Sequence, residues 1–78
     1  MATLRLFAQA REAAGTNEAE FDGATVDDVL RAAAETFGVA FAAVLASSKV
    51  WLNGEQCERS TQVTSRDEVA VLPPVSGG

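Results

Sequence analysis

The stretch "TVDDVLRAAAETFG", residues 25–38, is where the hydrophobic period of the chain changes. Val26, Val29, Leu30, Ala33 and Phe37 recur at spacings of three and four, which gathers them on one stripe of an α-helix. Thr25 is a natural N-cap, and Asp27 and Asp28 fall in the first turn, where the helix dipole favours negative charge. Gly38 suits the left-handed position that closes a helix. The adjacent carboxylates also suit acid–base work, but a solvated first helical turn accounts for them without it.

On either side the period is two. In "TLRLFA", residues 3–8, Leu4, Leu6 and Ala8 share one face, while Thr3, Arg5 and Phe7 share the other. "EAEFD", residues 18–22, alternates again, with Ala19 and Phe21 on one face, and "DG" at 22–23 closes it. These two strands make a first hairpin with a wide connection through "QAREAAG" and a turn at "GTN", residues 15–17. After the helix, "AFAAVLA", residues 40–46, reads equally as a short second helix or a packed loop. "KVWLN" at 49–53 and "EVAVL" at 68–72 are strands, with Val50, Leu52, Val69 and Val71 inward. "NGE" at 53–55 turns toward a short strand around 56–58. The order strand, strand, helix, strand, short strand, strand predicts an α+β domain of the β-grasp, or ubiquitin-like, kind. Its mixed sheet has four to five strands, with one main helix packed on one face. The domain is expected to span residues 1–72, with an extended, flexible tail over 73–78.

Composition narrows the chemistry. Seventy-eight residues make one domain with a small core. At that size only about 60% of the unfolded surface is buried, so an enclosed substrate cavity is not expected. There is no histidine and a single cysteine, Cys57, which removes the usual general base and the usual metal ligands. No metal site is expected, and Cys57 reads as a small packed residue, since no basic neighbour is evident to activate it. Six basic against eleven acidic side chains leave a net charge of −5, which repels a phosphate backbone and favours a basic protein partner over nucleic acid. No long apolar span or basic-then-apolar leader is present, so neither a membrane association nor export is expected and the location is read as cytoplasmic.

The remaining signal is "LPPVSGG", residues 72–78. Leu72 precedes a proline and is pushed to an extended conformation, and Pro73 and Pro74 aim the following chain away from the sheet. From Leu72, residues 73–78 reach roughly 20 Å at about 3.3 Å each, enough to enter a neighbouring protein's active site. Gly77 and Gly78 carry no side chains, so this stretch suits a narrow channel and presents an uncrowded carboxyl carbon.

With "LFAQAREAAGT" at 6–16, "VWLNGE" at 50–55 and "DEVAVLPPVSGG" at 67–78, nearly the whole chain resembles the MoaD/ThiS sulfur-carrier family. Within it, "PPVSGG" is most like the molybdopterin-synthase small subunits. The resemblance implies a carrier rather than a catalyst. By the same resemblance Gly78 is expected to be adenylated by a ubiquitin-activating-type adenylyltransferase that uses ATP, to be converted to a thiocarboxylate by a sulfur donor enzyme, and to enter the large molybdopterin synthase subunit with the tail. The resemblance further implies that this subunit binds the pterin precursor and supplies the basic catalytic residues, and that two sulfurs form the dithiolene. No cofactor is expected to reside on the carrier. Pro73, Pro74, Val75, Ser76 and Gly77 serve the tail. A carrier for thiamine or cysteine synthesis would use the same tail, and a ubiquitin-like protein modifier would instead leave Gly78 linked to lysines.

Strand alternation also places Phe7, Trp51 and Leu72 opposite the helix, with the first and third strands flanking the last. That predicts an apolar docking face, with the alternative that Trp51 lies under residues 40–46. Arg11 matches the family's "RE" after the first strand and reads equally as a partner contact or a structural salt bridge.

Overall fold

The structure, a computed structural model, describes residues 1–74. Its elements are β1 (Ala2–Leu6), α1 (Ala8–Ala14), β2 (Glu18–Phe21), α2 (Val26–Phe37), α3 (Val39–Ala46), β3 (Lys49–Leu52), β4 (Glu55–Gln56) and β5 (Glu68–Leu72). The strands form one five-stranded sheet in the order β2-β1-β5-β3-β4. The pair β1/β5 is parallel and the others are antiparallel, which is the expected β-grasp arrangement.

Register sorts the side chains. Leu4 lies opposite Val69, Leu6 opposite Val71, and Val71 opposite Val50, so one face of the three central strands is aliphatic and fully covered. Val26, Val29, Leu30 and Ala33 of α2 cover it, as the three-and-four spacing requires, and Phe41 and Leu45 of α3 complete the core. Phe37 stands edge-on to Phe21 with centroids 5.8 Å apart and to Phe41 at 5.2 Å, which ties β2, α2 and α3 together.

The start of α2 is held from outside as well as from within. Its early N–H groups, which have no partner in the helix, donate to loop carbonyls: Val26 to Thr61 at 2.9 Å and Asp27 to Arg59 at 2.8 Å. Asp27 is also ion-paired with Arg59 at 2.9 Å and Arg31 at 3.2 Å. The two aspartates are therefore more than a solvated first turn, because Asp27 also fastens the 58–63 loop to the helix.

Three readings of the sequence change, and one that was open is settled. The connection between β1 and β2 is the helix α1, and the first strand stops at Leu6, so Ala8 leaves the sheet and opens α1 at a φ of 50°. Alanine hides this helix, because only Ala10 is buried and no apolar stripe is needed. Residues 39–46 are helical, decided by Phe41 and Leu45 one turn apart on the core side. The short strand is Glu55–Gln56, since Asn53 and Gly54, at φ 51° and 85°, turn the chain within two residues and bring Leu52 opposite Glu55. Gly38 has φ 96° but ψ −171°, a region open essentially to glycine alone, and it both ends α2 and begins α3.

Candidate functional site

The face of the sheet away from the helices is graded along its strands. Moving from the root of the tail, Leu72 lies opposite Lys49, and one residue beyond the parallel pair Leu6–Val71 the extended Phe7 comes level with Leu72. The next row runs Glu18, Arg5, Ala70, Trp51, Gln56, and the next Glu20, Thr3, Glu68. Apolar side chains thus concentrate at the end of β5 from which the tail departs. The other end is acidic, with Arg5 held between Glu18 at 3.6 Å and Glu68 at 3.7 Å.

Phe7 is 43% exposed, an unusual setting for a phenylalanine, and it sits at the N-cap of α1, just past β1. Trp51 and Leu72 are half-buried. They line an open groove of 410 Å³ with Ser47, Lys49, Pro73 and Pro74. Pairing of Trp51 with Ala70 in the β3/β5 ladder sets Trp51 on the outer face, so it does not lie under α3, which packs against α1 and α2. Arg11 is exposed on α1 and makes no ion pair among the described residues. Ser47, Lys49 and the two prolines are groove residues that alternation alone did not single out as a cluster; the register of Lys49 with Leu72 is what joins them. Val75, Ser76, Gly77 and Gly78 lie outside the described residues.

Cys57 is half-buried, its Sγ 3.7 Å from the Val50 carbonyl oxygen, and burial pushes its thiol pKa up. A raised pKa lowers the thiolate fraction, the opposite of what a sulfur relay requires. Among the described residues no three His, Cys, Asp or Glu side chains gather as a metal ion would need, and no helix is long and apolar enough to cross a membrane.

The family model of ThiS matches residues 4–78, nearly the whole chain and the glycine pair with it. The chain belongs to the ThiS family. This is the ThiS/MoaD group of ubiquitin-like sulfur carriers. Among solved structures, this ThiS-family chain is similar to small archaeal modifier protein 1 from Methanosarcina acetivorans, at 32% identity and a TM-score of 0.89, covering 99% of this chain and 95% of that one. It is similar at 32% identity, with a TM-score of 0.83, to the Haloferax volcanii protein of the same name, covering 99% and 98% of the two chains. A candidate molybdopterin converting factor subunit 1 from Pyrococcus furiosus shares 25% identity with a TM-score of 0.82, covering 95% and 97%. Among curated proteins none matches.

Proposed function

We propose that the chain is the sulfur-carrying small subunit of a molybdopterin synthase. Its Gly78 carboxylate attacks ATP on an adenylating enzyme, forming the acyl-adenylate and releasing pyrophosphate. A sulfur donor then displaces AMP and leaves a thiocarboxylate, whose sulfur is ionised and nucleophilic at neutral pH, much as a low-pKa thiolate is. The tail carries that sulfur into the large subunit, where the pterin precursor and the catalytic groups reside.

The observation that carries this reading is the exit of the tail. Leu72 is the last residue of β5, the middle strand of the sheet, and Pro73 and Pro74 follow it along the rim of an apolar groove. Residues 72–74 thus lie beside the face proposed to dock the partner, and the glycine pair supplies a slim, reactive end. Membership of the ThiS family supports the carrier chemistry, and "PPVSGG" together with the Pyrococcus furiosus relative supports the molybdopterin branch.

The test is a single-turnover one. Thiocarboxylated protein mixed with the large subunit and precursor is expected to convert precursor in a stoichiometric burst and then stop, because each carrier holds one sulfur. The protein alone is expected to show no turnover. A thiocarboxylated carrier that leaves the precursor untouched but replaces the carrier of thiazole or cysteine synthesis would move it to that pathway with the same chemistry.

A second reading has a specific observation in its favour: the two relatives at 32% identity carry the name small archaeal modifier protein 1. Under it, Gly78 is joined to lysine amines of other proteins, and denaturing gels of native extract would carry the chain in many covalent adducts. Free carrier alone on such gels counts against it.

A further inference from the structure

We infer that the groove between Trp51 and Leu72 seats an apolar side chain of the protein partner with a carboxylate beside it, and that Lys49 pairs with that carboxylate and so sets the orientation of docking. The inference rests on the carrier reading, because the groove borders the root of the tail.

The charge layout is the ground for it. Lys49 is the single lysine of the chain, is exposed at the groove, and makes no ion pair among the described residues. Arg5, the other cation on this face, is already held by Glu18 and Glu68, and with Glu20 nearby the far end of the face is acidic. A partner that meets both ends must therefore be basic opposite β1 and β2 and carry an acidic group at the groove. Turned end for end, the same partner would set its carboxylate against Glu18, Glu20 and Glu68 and its basic groups against Lys49. Like charges juxtaposed across an interface reject that orientation, whereas the correct one speeds encounter and fixes register.

The apolar half of the match is given by the indole of Trp51 and by Leu72 with the proline pair, in an open groove of 410 Å³, a size that suits one or two large side chains. Because Lys49 lies directly across the ladder from Leu72, an ion pair there is made at the root of the tail. Fixing the root limits where the tail's far end can reach, and a misplacement of about 1 Å at a reacting centre can cost on the order of a hundredfold in rate.

The experiment is titration calorimetry of the full chain with the large molybdopterin synthase subunit at low and high salt, using wild type, Lys49→Glu, Lys49→Arg and Arg66→Glu. Arg66 is exposed just before β5, at the opposite end of that strand from the tail, and its reversal changes net charge by the same amount as reversal of Lys49. Lys49→Glu is expected to weaken binding about tenfold or more at low salt, with the deficit shrinking at high salt, while Lys49→Arg stays within about threefold of wild type. Arg66→Glu is expected to bind nearly as wild type does. Equal affinity for Lys49→Glu and wild type, or an equal loss in Lys49→Glu and Arg66→Glu, overturns the inference and leaves the carrier reading standing. Failure of the wild type itself to bind the subunit overturns both.

Discussion

Thr25 and Asp28 cap each other: the Thr25 hydroxyl oxygen accepts the Asp28 N–H at 3.2 Å, and the Asp28 carboxylate accepts the Thr25 N–H at 3.3 Å. The same carboxylate also accepts the Ala24 N–H at 3.2 Å, so three backbone donors at the entry to α2 are satisfied by two side chains. Thr25→Ala removes one acceptor and is expected to cost about 1 kcal/mol. For a domain of this size that lowers the melting temperature by roughly 4–8 °C. Sulfur transfer at a permissive temperature should be unchanged, since neither residue belongs to the groove or the tail. Calorimetric melting that showed no loss would mean that the loop bonds at Val26 and Asp27 hold the helix start alone.

Asp67 gives a pH signature. Its carboxylate accepts the Asn53 amide at 3.0 Å and the Thr64 backbone N–H at 2.8 Å, and these bonds to the charged form hold its pKa below the usual carboxylate value. A group depressed in the folded state contributes stability that is fully present above its unfolded pKa, about 3.9 for aspartate, and is lost as the pH falls through the lower folded value. Asp67→Asn should therefore be less stable than wild type near neutrality, and the difference should close in acid. Urea unfolding of both proteins between pH 7 and pH 2 measures this, and a difference that widens in acid would contradict the assignment.

Ala8 carries backbone strain. At φ 50° it occupies a left-handed region that costs a side-chain-bearing residue roughly 1–2 kcal/mol, while its own side chain is exposed. Ala8→Gly relieves that cost and is expected to raise stability by about 0.5–1 kcal/mol after the added freedom of the unfolded chain is counted. Gly38→Ala should act in reverse, because φ 96° with ψ −171° is closed to alanine. Thermal melts with opposite signs for these two substitutions are the expected result.

The same residues explain what the sequence made legible. α2 and the strands β1, β3 and β5 bury one face each, so their periods of 3.6 and two were visible through Val26, Val29, Leu30 and Ala33 and through Leu4, Leu6, Val69 and Val71. α1 escaped because alanine is neutral in a hydrophobic pattern and because Ala8 continued the alternation of the strand before it. α3 resisted for the opposite reason: "VAFAAVLA" is apolar all round, so only packing selects Phe41 and Leu45 as the inward pair. At the candidate site, alternation was enough to set Trp51 and Leu72 on one face. That Lys49 joins them depended on which residue of β3 meets the end of β5, and register across strands distant in sequence is not written in either strand alone.

Docking should depend on the outer face and folding should not. Phe7, Trp51 and Leu72 lie outside the buried cluster, so Phe7→Ala, Trp51→Ala and Leu72→Ala are expected to leave folding largely intact. Each should weaken binding to the large subunit by roughly 1–3 kcal/mol, as anchors in a compact interface do. Undiminished affinity in all three, measured by calorimetry, would move the interface off this face.

The glycine pair is the sharpest test of the carrier reading. Deleting Gly78 shortens the reach of the tail by about 3.3 Å, and Gly77→Trp adds bulk where a narrow channel has to admit the chain. Either change should abolish sulfur transfer, while the melting temperature stays close to that of wild type, because every residue of the buried cluster lies within residues 2–71. Two readouts separate the steps. Intact mass after incubation with ATP, the adenylating enzyme and a sulfide source reports activation, and for the wild type should rise by the difference between sulfur and oxygen, mapped to Gly78. Conversion of precursor by the large subunit reports delivery. Gly77→Ala, a smaller change, should be adenylated and thiolated to some extent yet deliver slowly, since a Gly78 carboxylate that still reaches ATP on the adenylating enzyme then carries its sulfur to a position displaced from the reacting pterin carbon. If the added sulfur maps to Cys57 instead, or if the Gly78 deletion transfers sulfur at the wild-type rate, the carrier is not a thiocarboxylate at Gly78.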